Sequence, residues 1–330
     1  MDKIYTRKIE NRVEAERFCK NILYFDVPEQ ELITTKRGIL NDAINDLMTQ
    51  ENLLSDLYNK QSNTFDAKEN RVEEYRADAQ REILRLKIAK DCLSKARLPE
   101  ENINEDEGGM LPNTALKKKS QFYLVIGLPA SGKSSISEKL ADMTGSVYLD
   151  ADIVKRKIPE FKVDTRGASL VHLESNYILR PSSDFGKIPD YNIMINCFQN
   201  KCNIVYNMIG DDFEWLKEMI LMVKEKDYDV HLLLVELDRL KCVQRAYNRF
   251  KEKSRYISLP LIFDVYANNP TISFYKCVLG KIVESYAYIN NDVGVGEAKI
   301  ILENSFSDKK IIEKIAKGEN KNGKNKKKSD

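Results

Sequence analysis

Eight consecutive residues, Gly127-Leu128-Pro129-Ala130-Ser131-Gly132-Lys133-Ser134, carry the clearest chemistry of this chain. They satisfy G-x-x-x-x-G-K-[ST] in full. The context fits as well, with an apolar run (Phe122–Ile126) immediately before and a helical pattern immediately after. Glycines let the backbone turn tightly enough for its N–H groups to point at phosphate oxygens. The helix that starts there adds its positive end. Lys133 then reaches the β- and γ-phosphates, Ser134 supplies a hydroxyl ligand for Mg²⁺, and Ser135 completes the binding stretch. Such a loop defines a nucleoside triphosphate site without saying where the phosphate goes.

About 15 residues further on stands Tyr148-Leu149-Asp150-Ala151-Asp152, two carboxylates at i and i+2 after a short apolar run. At the C-terminal end of a strand in an open α/β sheet, such a pair faces the ligand crevice. One carboxylate can accept a proton from an attacking hydroxyl while the other fixes a metal or a water. A helix N-cap explains one of the two equally well.

These groups need a scaffold, and the rest of the chain supplies a legible one. Strands are predicted at Phe122–Ile126, Val147–Leu149, Asn203–Asn207 and His231–Leu237, with a fifth candidate at Ala298–Leu302. Helices are predicted at about Lys133–Met143, Phe213–Lys226 and Leu240–Lys253. Alternation of this kind argues for a P-loop NTPase-type α/β fold, a parallel sheet with flanking helices.

The first 98 residues read differently. Leu32, Ile33, Ile39, Leu40, Ile44, Leu47, Leu54 and Leu57 recur at helical spacing, as do Val72, Tyr75, Ala79, Ile83, Leu86, Ala89 and Leu93. They predict an all-α domain over residues 1–98, a long helical hairpin after a shorter helix. Residues 99–119, rich in Pro, Gly, Asn and acidic side chains, are expected to be a linker to a catalytic domain over 120–313. The Lys-rich end, 314–330, is expected to be a disordered tail.

The stretch DADIVKRKIPEF, following the phosphate loop and its strand, resembles the zeta toxin family, P-loop kinases of toxin–antitoxin systems. Leu170–Ser175 resembles a V-H-x-E-S stretch of a zeta-like subgroup, and Asn203–Gly210 resembles its third strand. Arg245–Phe250 with Ser254-Arg255-Tyr256 resembles a family arginine pair. The resemblance implies Asp152 as the base acting on a hydroxyl of a nucleotide sugar such as UDP-N-acetylglucosamine. It also implies Lys155 as the basic residue three positions later, and Arg249 and Arg255 as contacts to the ATP phosphates. Asp150, Glu174 and Asn207 join Lys155 as candidate substrate contacts. Two departures stand out: Ile158-Pro159 where the family often has His-Pro, and Asn207 where better-known members have Glu. The implied partners are a small-molecule phosphate acceptor, and an inhibitor that is either residues 1–98 of the same chain or a separate antitoxin.

Composition narrows the alternatives. With 53 Lys and Arg against 51 Asp and Glu, the chain is no electrostatic binder of nucleic acid, which counts against a polynucleotide kinase. An ATP-gated interaction module without an acceptor would have no use for Asp152 and paired arginines. No apolar run approaches the roughly 18 residues that cross a bilayer. Six cysteines without C-x-x-C spacing, beside two histidines, read as reduced core thiols rather than zinc ligands. A cytoplasmic protein is expected.

Overall fold

The computed structural model describes residues 9–34, 36–59, 62–163, 165–182, 185–294 and 299–317. Its element order is α1 (Arg12–Phe18), α2 (Glu29–Thr34), α3 (Arg37–Asn59), α4 (Asp78–Ser94), β1 (Gln121–Ile126), α5 (Lys133–Thr144), β2 (Val147–Leu149), α6 (Ala151–Lys157), α7 (Gly167–Leu170), α8 (His172–Leu179), α9 (Ile193–Gln199), β3 (Ile204–Asn207), α10 (Phe213–Lys224), β4 (Asp229–Glu236), α11 (Arg239–Lys253), α12 (Asn269–Leu279), β5 (Ser285–Asn290), β6 (Ile300–Asn304) and α13 (Lys309–Lys317). Within the described residues no helix is long and apolar enough to cross a membrane.

The sheet runs β2-β3-β1-β4-β5-β6. Its first five strands are parallel and β6 is antiparallel to β5. The sheet is therefore mixed at one edge, not wholly parallel as expected. The candidate fifth strand at 298–302 overlaps this antiparallel edge from Ile300 on, residue 298 lying outside the described residues, and the parallel fifth strand is Ser285–Asn290, whose tyrosines alternate with small residues. Only nine residues separate β5 from β6, too few for a parallel crossover, so the chain turns back. Helices cover both faces, and Phe122–Ile126 are completely or nearly completely buried, because a parallel strand flanked on both faces has no solvent side.

The N-terminal region is helical, but its helices divide between two cores instead of pairing as a hairpin. Leu32, Leu40, Ile44, Leu47 and Leu54 pack with Phe18 and Leu23 against Val243, Ala246 and Phe250 of α11. α4 instead joins the core of the sheet through Leu84, Ile88, Ala89 and Cys92. Its buried face is rotated from the one the periodicity predicts: Ile83 and Leu86 are exposed, while Arg81 is fully buried. A hydrophobic pattern has no way to register a face centred on a charge.

Residues 99–119, expected as a linker, are packed. Met110 is buried, its carbonyl accepts from Tyr148 N (2.8 Å), and Lys157 Nζ donates to the carbonyls of Asn104 (3.2 Å) and Glu107 (3.1 Å). In the expected tail, Lys314–Lys317 instead close α13, with Ile315 and Ala316 buried. The remainder of that tail, residues 318–330, lies outside the described residues. All six cysteines are buried and free.

Candidate active site

β1 sits between β3 and β4, so the loop at its C-terminal end opens onto the middle of the sheet's crest. Gly127 and Gly132 both hold positive φ (150° and 93°). A Cβ on Gly127 would meet the Val235 carbonyl at 2.3 Å, and one on Gly132 would meet Asn291 Nδ2 at 2.2 Å. The loop is thus clamped between two strands' ends, which is why both positions require glycine. Asn291, just beyond β5, bolts it in place by donating to the Ser131 carbonyl (2.6 Å). Nothing local to the motif signals Asn291.

Lys133 donates to the Leu128 carbonyl at 2.7 Å. Burial of its ammonium lowers its pKa to about 8, against the opposing pull of Asp150 and Asp152. Ser134 and Ser135 lie exposed on the first turn of α5.

The two aspartates differ in role. Asp150 caps α6, accepting from Asp152 N (2.8 Å), as the N-cap reading of one carboxylate anticipates. Its other oxygen accepts from Tyr148 OH (2.7 Å) and Asn207 Nδ2 (3.2 Å). The Oδ1 of Asn207 is buried with no hydrogen-bond partner among the described residues. Asp152 is left to the charges: Arg255 Nη2 lies 2.6 Å and Lys155 Nζ 3.2 Å from its carboxylate. Burial alone would raise its pKa, but Arg255 and Lys155 outweigh that and hold it well below the ordinary carboxylate range.

The geometry therefore brings together Lys133, Ser134, Asp150, Asp152, Lys155, Arg249 and Arg255, and adds residues that sequence reasoning missed. Glu100, on a single 3₁₀ turn (Glu100–Asn102), accepts from Arg156, from Arg249 (3.2 Å), from Arg255 (3.3 Å) and from Lys253 (3.4 Å). Ser134, Asp150, Asp152, Arg156, Arg249 and Glu100 all line one cavity of about 60 Å³. A larger cavity of about 350 Å³ flanks the start of the loop at the ends of β4 and β5.

Glu174 is not brought into this cluster. Its carboxylate is 1% exposed and accepts from Arg81 (2.5 and 2.6 Å), Arg85 (2.7 Å) and Thr64 (2.5 Å). The VHLES stretch shows a glutamate on a helix; only the fold shows that α4 covers it.

A glycine-rich phosphate cradle beside a D-x-D carboxylate pair and convergent arginines defines a P-loop domain of kinase type. Residues 110–272 match the zeta toxin family model. Among curated proteins no sequence matches the chain. Solved structures give lower overall likeness. One from the PezAT chromosomal toxin–antitoxin system of Streptococcus pneumoniae is 16% identical, covers 58% of this chain and 73% of its own, and superposes with a TM-score of 0.41. The AvrRxo1-ORF1:-ORF2 structure with ATP is 16% identical, covers 74% of each chain and gives 0.44. A gluconokinase from Sinorhizobium meliloti is 11% identical, covers 55% of this chain and 88% of its own, and gives 0.28.

Proposed function

We propose that this chain transfers the γ-phosphate of ATP to a hydroxyl group of a small molecule, a nucleotide sugar such as UDP-N-acetylglucosamine being the leading candidate class. The observation that carries the reading is the convergence of Asp152 and Arg249 on the cavity that begins at Ser134, with Arg255 ion-paired to Asp152. The zeta toxin match supports the acceptor class.

Backbone N–H groups at the end of the loop, around Gly132–Ser134, and the Lys133 ammonium hold the triphosphate. The 350 Å³ cavity beside Gly127 and Leu128 has the volume for the nucleoside. Mg²⁺ fits the donor set, because the Ser134 hydroxyl and the Asp150 carboxylate are hard oxygen donors on one cavity. Bound there, it supplies charge neutralisation of the phosphates. Asp152 accepts the proton of the attacking hydroxyl, for which Arg255 must first leave it. Arg249 and Arg255 then face the charge spread over the transferred oxygens. Asp150 holds the start of α6, and so Asp152, in register. Lys155 and Asn207 are the acceptor contacts in this reading. Glu174 acts from a distance by holding α4 to α8.

Control of the site is assigned to the N-terminal helices of the same chain, with a separate antitoxin as the alternative. Two contacts support the first choice. Asp46 accepts from Tyr247 OH and Lys251 Nζ on α11 (both 2.8 Å), and Glu51 accepts from Tyr256 OH (2.5 Å) beside Arg255. Asp46→Ala with Glu51→Ala should raise turnover; unchanged turnover would favour the separate partner.

For the reaction itself, the purified chain is incubated with ATP, Mg²⁺ and a panel of UDP-sugars and nucleosides, and products are read by mass spectrometry. One acceptor gaining a phosphate, lost in Asp152→Asn and in Lys133→Ala, is the expected result. ATP binding with no product on any acceptor would sink the kinase reading in favour of an ATP-gated module.

A further inference from the structure

Glu100 is in an unusual position for a surface carboxylate. Four cations, Arg156, Arg249, Lys253 and Arg255, converge on its two oxygens. They come from α6, from α11 and from the segment after α11, so the fold gathers them from separated stretches of chain. Besides Glu100, Asp152 faces this group through Arg255 and the neighbouring Lys155, and Asp150 and Glu138 line the same cavity. Burial pushes the Glu100 pKa up, but Arg249, Arg156, Arg255 and Lys253 overcome it, so the group is ionised at neutral pH.

The turn that carries it is fixed on both sides. Arg97 donates to Asp142 (2.8 Å) and to the Glu138 carbonyl (3.2 Å) on α5, and Ile103 is buried. The backbone is therefore no loose tether, while the Glu100 side chain itself keeps 34% of its surface in solvent. A side chain so placed can swing outward without unfolding its segment. With it in place, the cavity beside Ser134 holds about 60 Å³, well below the roughly 300 Å³ of a small-molecule site.

We infer that Glu100 is an internal anionic ligand of this cation cluster: its carboxylate stands in for a phosphate group, holds the arginines in a resting arrangement, and is exchanged for the phosphate of a bound nucleotide or acceptor. The chemistry favours exchange. A phosphate carries more charge and more acceptor oxygens than a carboxylate, so it satisfies guanidinium forks that Glu100 meets only singly. The same exchange draws Arg255 toward the incoming anion and off Asp152, freeing the base. Substrate entry and activation of the base are thus one event. Glu100 lies outside residues 1–98, so this restraint is separate from the contacts of α3.

The inference rests on the kinase reading of the site, and the experiment keeps the two apart. Binding of ATP with Mg²⁺, and of pyrophosphate, is measured by titration calorimetry on the full chain as wild type, Glu100→Gln, Glu100→Asp and Lys133→Ala. Glu100→Gln should bind pyrophosphate at least about tenfold more tightly than wild type, about 1.4 kcal/mol. Glu100→Asp, which keeps the charge on a shorter arm, should fall between them and serves if the glutamine variant folds poorly. Affinity unchanged or weakened in both variants, with ATP binding intact in wild type and lost in Lys133→Ala, would overturn the inference alone. ATP binding absent from wild type, or indifferent to Lys133→Ala, would instead overturn the phosphate-site reading on which it stands.

Discussion

Two clusters of arginine and carboxylate lie on α4 and its surroundings and at the crest of the sheet, and they differ in what surrounds them. In the first, Arg81 bridges Glu160 (2.9 Å) and Glu174 (2.5 Å), with Arg85 on Glu174 (2.7 Å); Arg81, Glu160 and Glu174 are 0–1% exposed. Two guanidinium groups meet two carboxylates, and charge is balanced. In the second, Arg156, Arg249, Lys253, Arg255 and Lys155 share Glu100 and Asp152, whose side chains are both 34% exposed. Here cations are in excess and solvent reaches the carboxylates. Balanced, buried charge is costly to disturb and serves to fix α4 against α8 and the turn at Glu160. Unbalanced, half-exposed charge is ready to take up an anion. The residue types are the same; stoichiometry and burial decide between structure and chemistry.

The comparison can be broken at its extremes. Asp152→Asn should lower phosphate transfer by about 10²–10⁴-fold, the usual worth of a general base, with little change in the urea midpoint. A large loss of stability in that variant would mean that the crest cluster is structural too. Arg81→Ala should do the reverse, destabilising the chain by about 3–5 kcal/mol because two buried carboxylates lose their partner. Denaturant titration reads that change, and a shift below about 1 kcal/mol would remove the distinction between the clusters.

A smaller effect sharpens the crest. Lys133, with its pKa lowered to about 8 by burial, would bind phosphate as the ammonium in the proposed reading. Raising the pH from 7 to 9 should therefore weaken ATP binding about tenfold, since deprotonation removes the charge that phosphate needs. An affinity flat across that window would show that the lysine keeps its proton. The smallest effect concerns Glu51, which burial pushes up to about 7 despite its bonds to Tyr256 and Ser258. A carboxylate raised above its unfolded value loses stability as pH rises from about 4.5 to 7. Glu51→Gln should accordingly raise the melting temperature by about 2 °C or more at pH 8 and by less at pH 5. Equal shifts at both pH values would argue against the burial.

Several of these features were open to sequence reading and others were closed to it. Gly127–Ser134 and Asp150–Asp152 are contiguous, and their function needs only a strand before and a helix after, so the string itself specifies them. Arg249 and Arg255 came through family resemblance, since a basic helix end looks the same whether it faces solvent or a phosphate. Glu100 gave no signal: it stands in a stretch of acidic and polar residues that read as a linker, and its partners lie at 156, 249, 253 and 255. β5 was hidden because tyrosines alternating with small residues mimic neither a strong strand nor a helix. The buried face of α4 was misplaced because Arg81 at its centre counts as polar in any hydrophobic pattern.

What the chain alone determined is therefore local: a glycine-pinned loop between strand and helix, a capped carboxylate pair, and the helical start of the chain. Backbone conformation over five to ten residues fixes such features, and the backbone follows nearby side chains. What the tertiary structure alone decided is which charges face each other. Glu174 is spent on Arg81 and Arg85, Glu100 gathers four cations, and Asn291 locks the phosphate loop. Electrostatic partnership depends on distance in space, and the order of strands brings together residues that the order of the sequence keeps far apart.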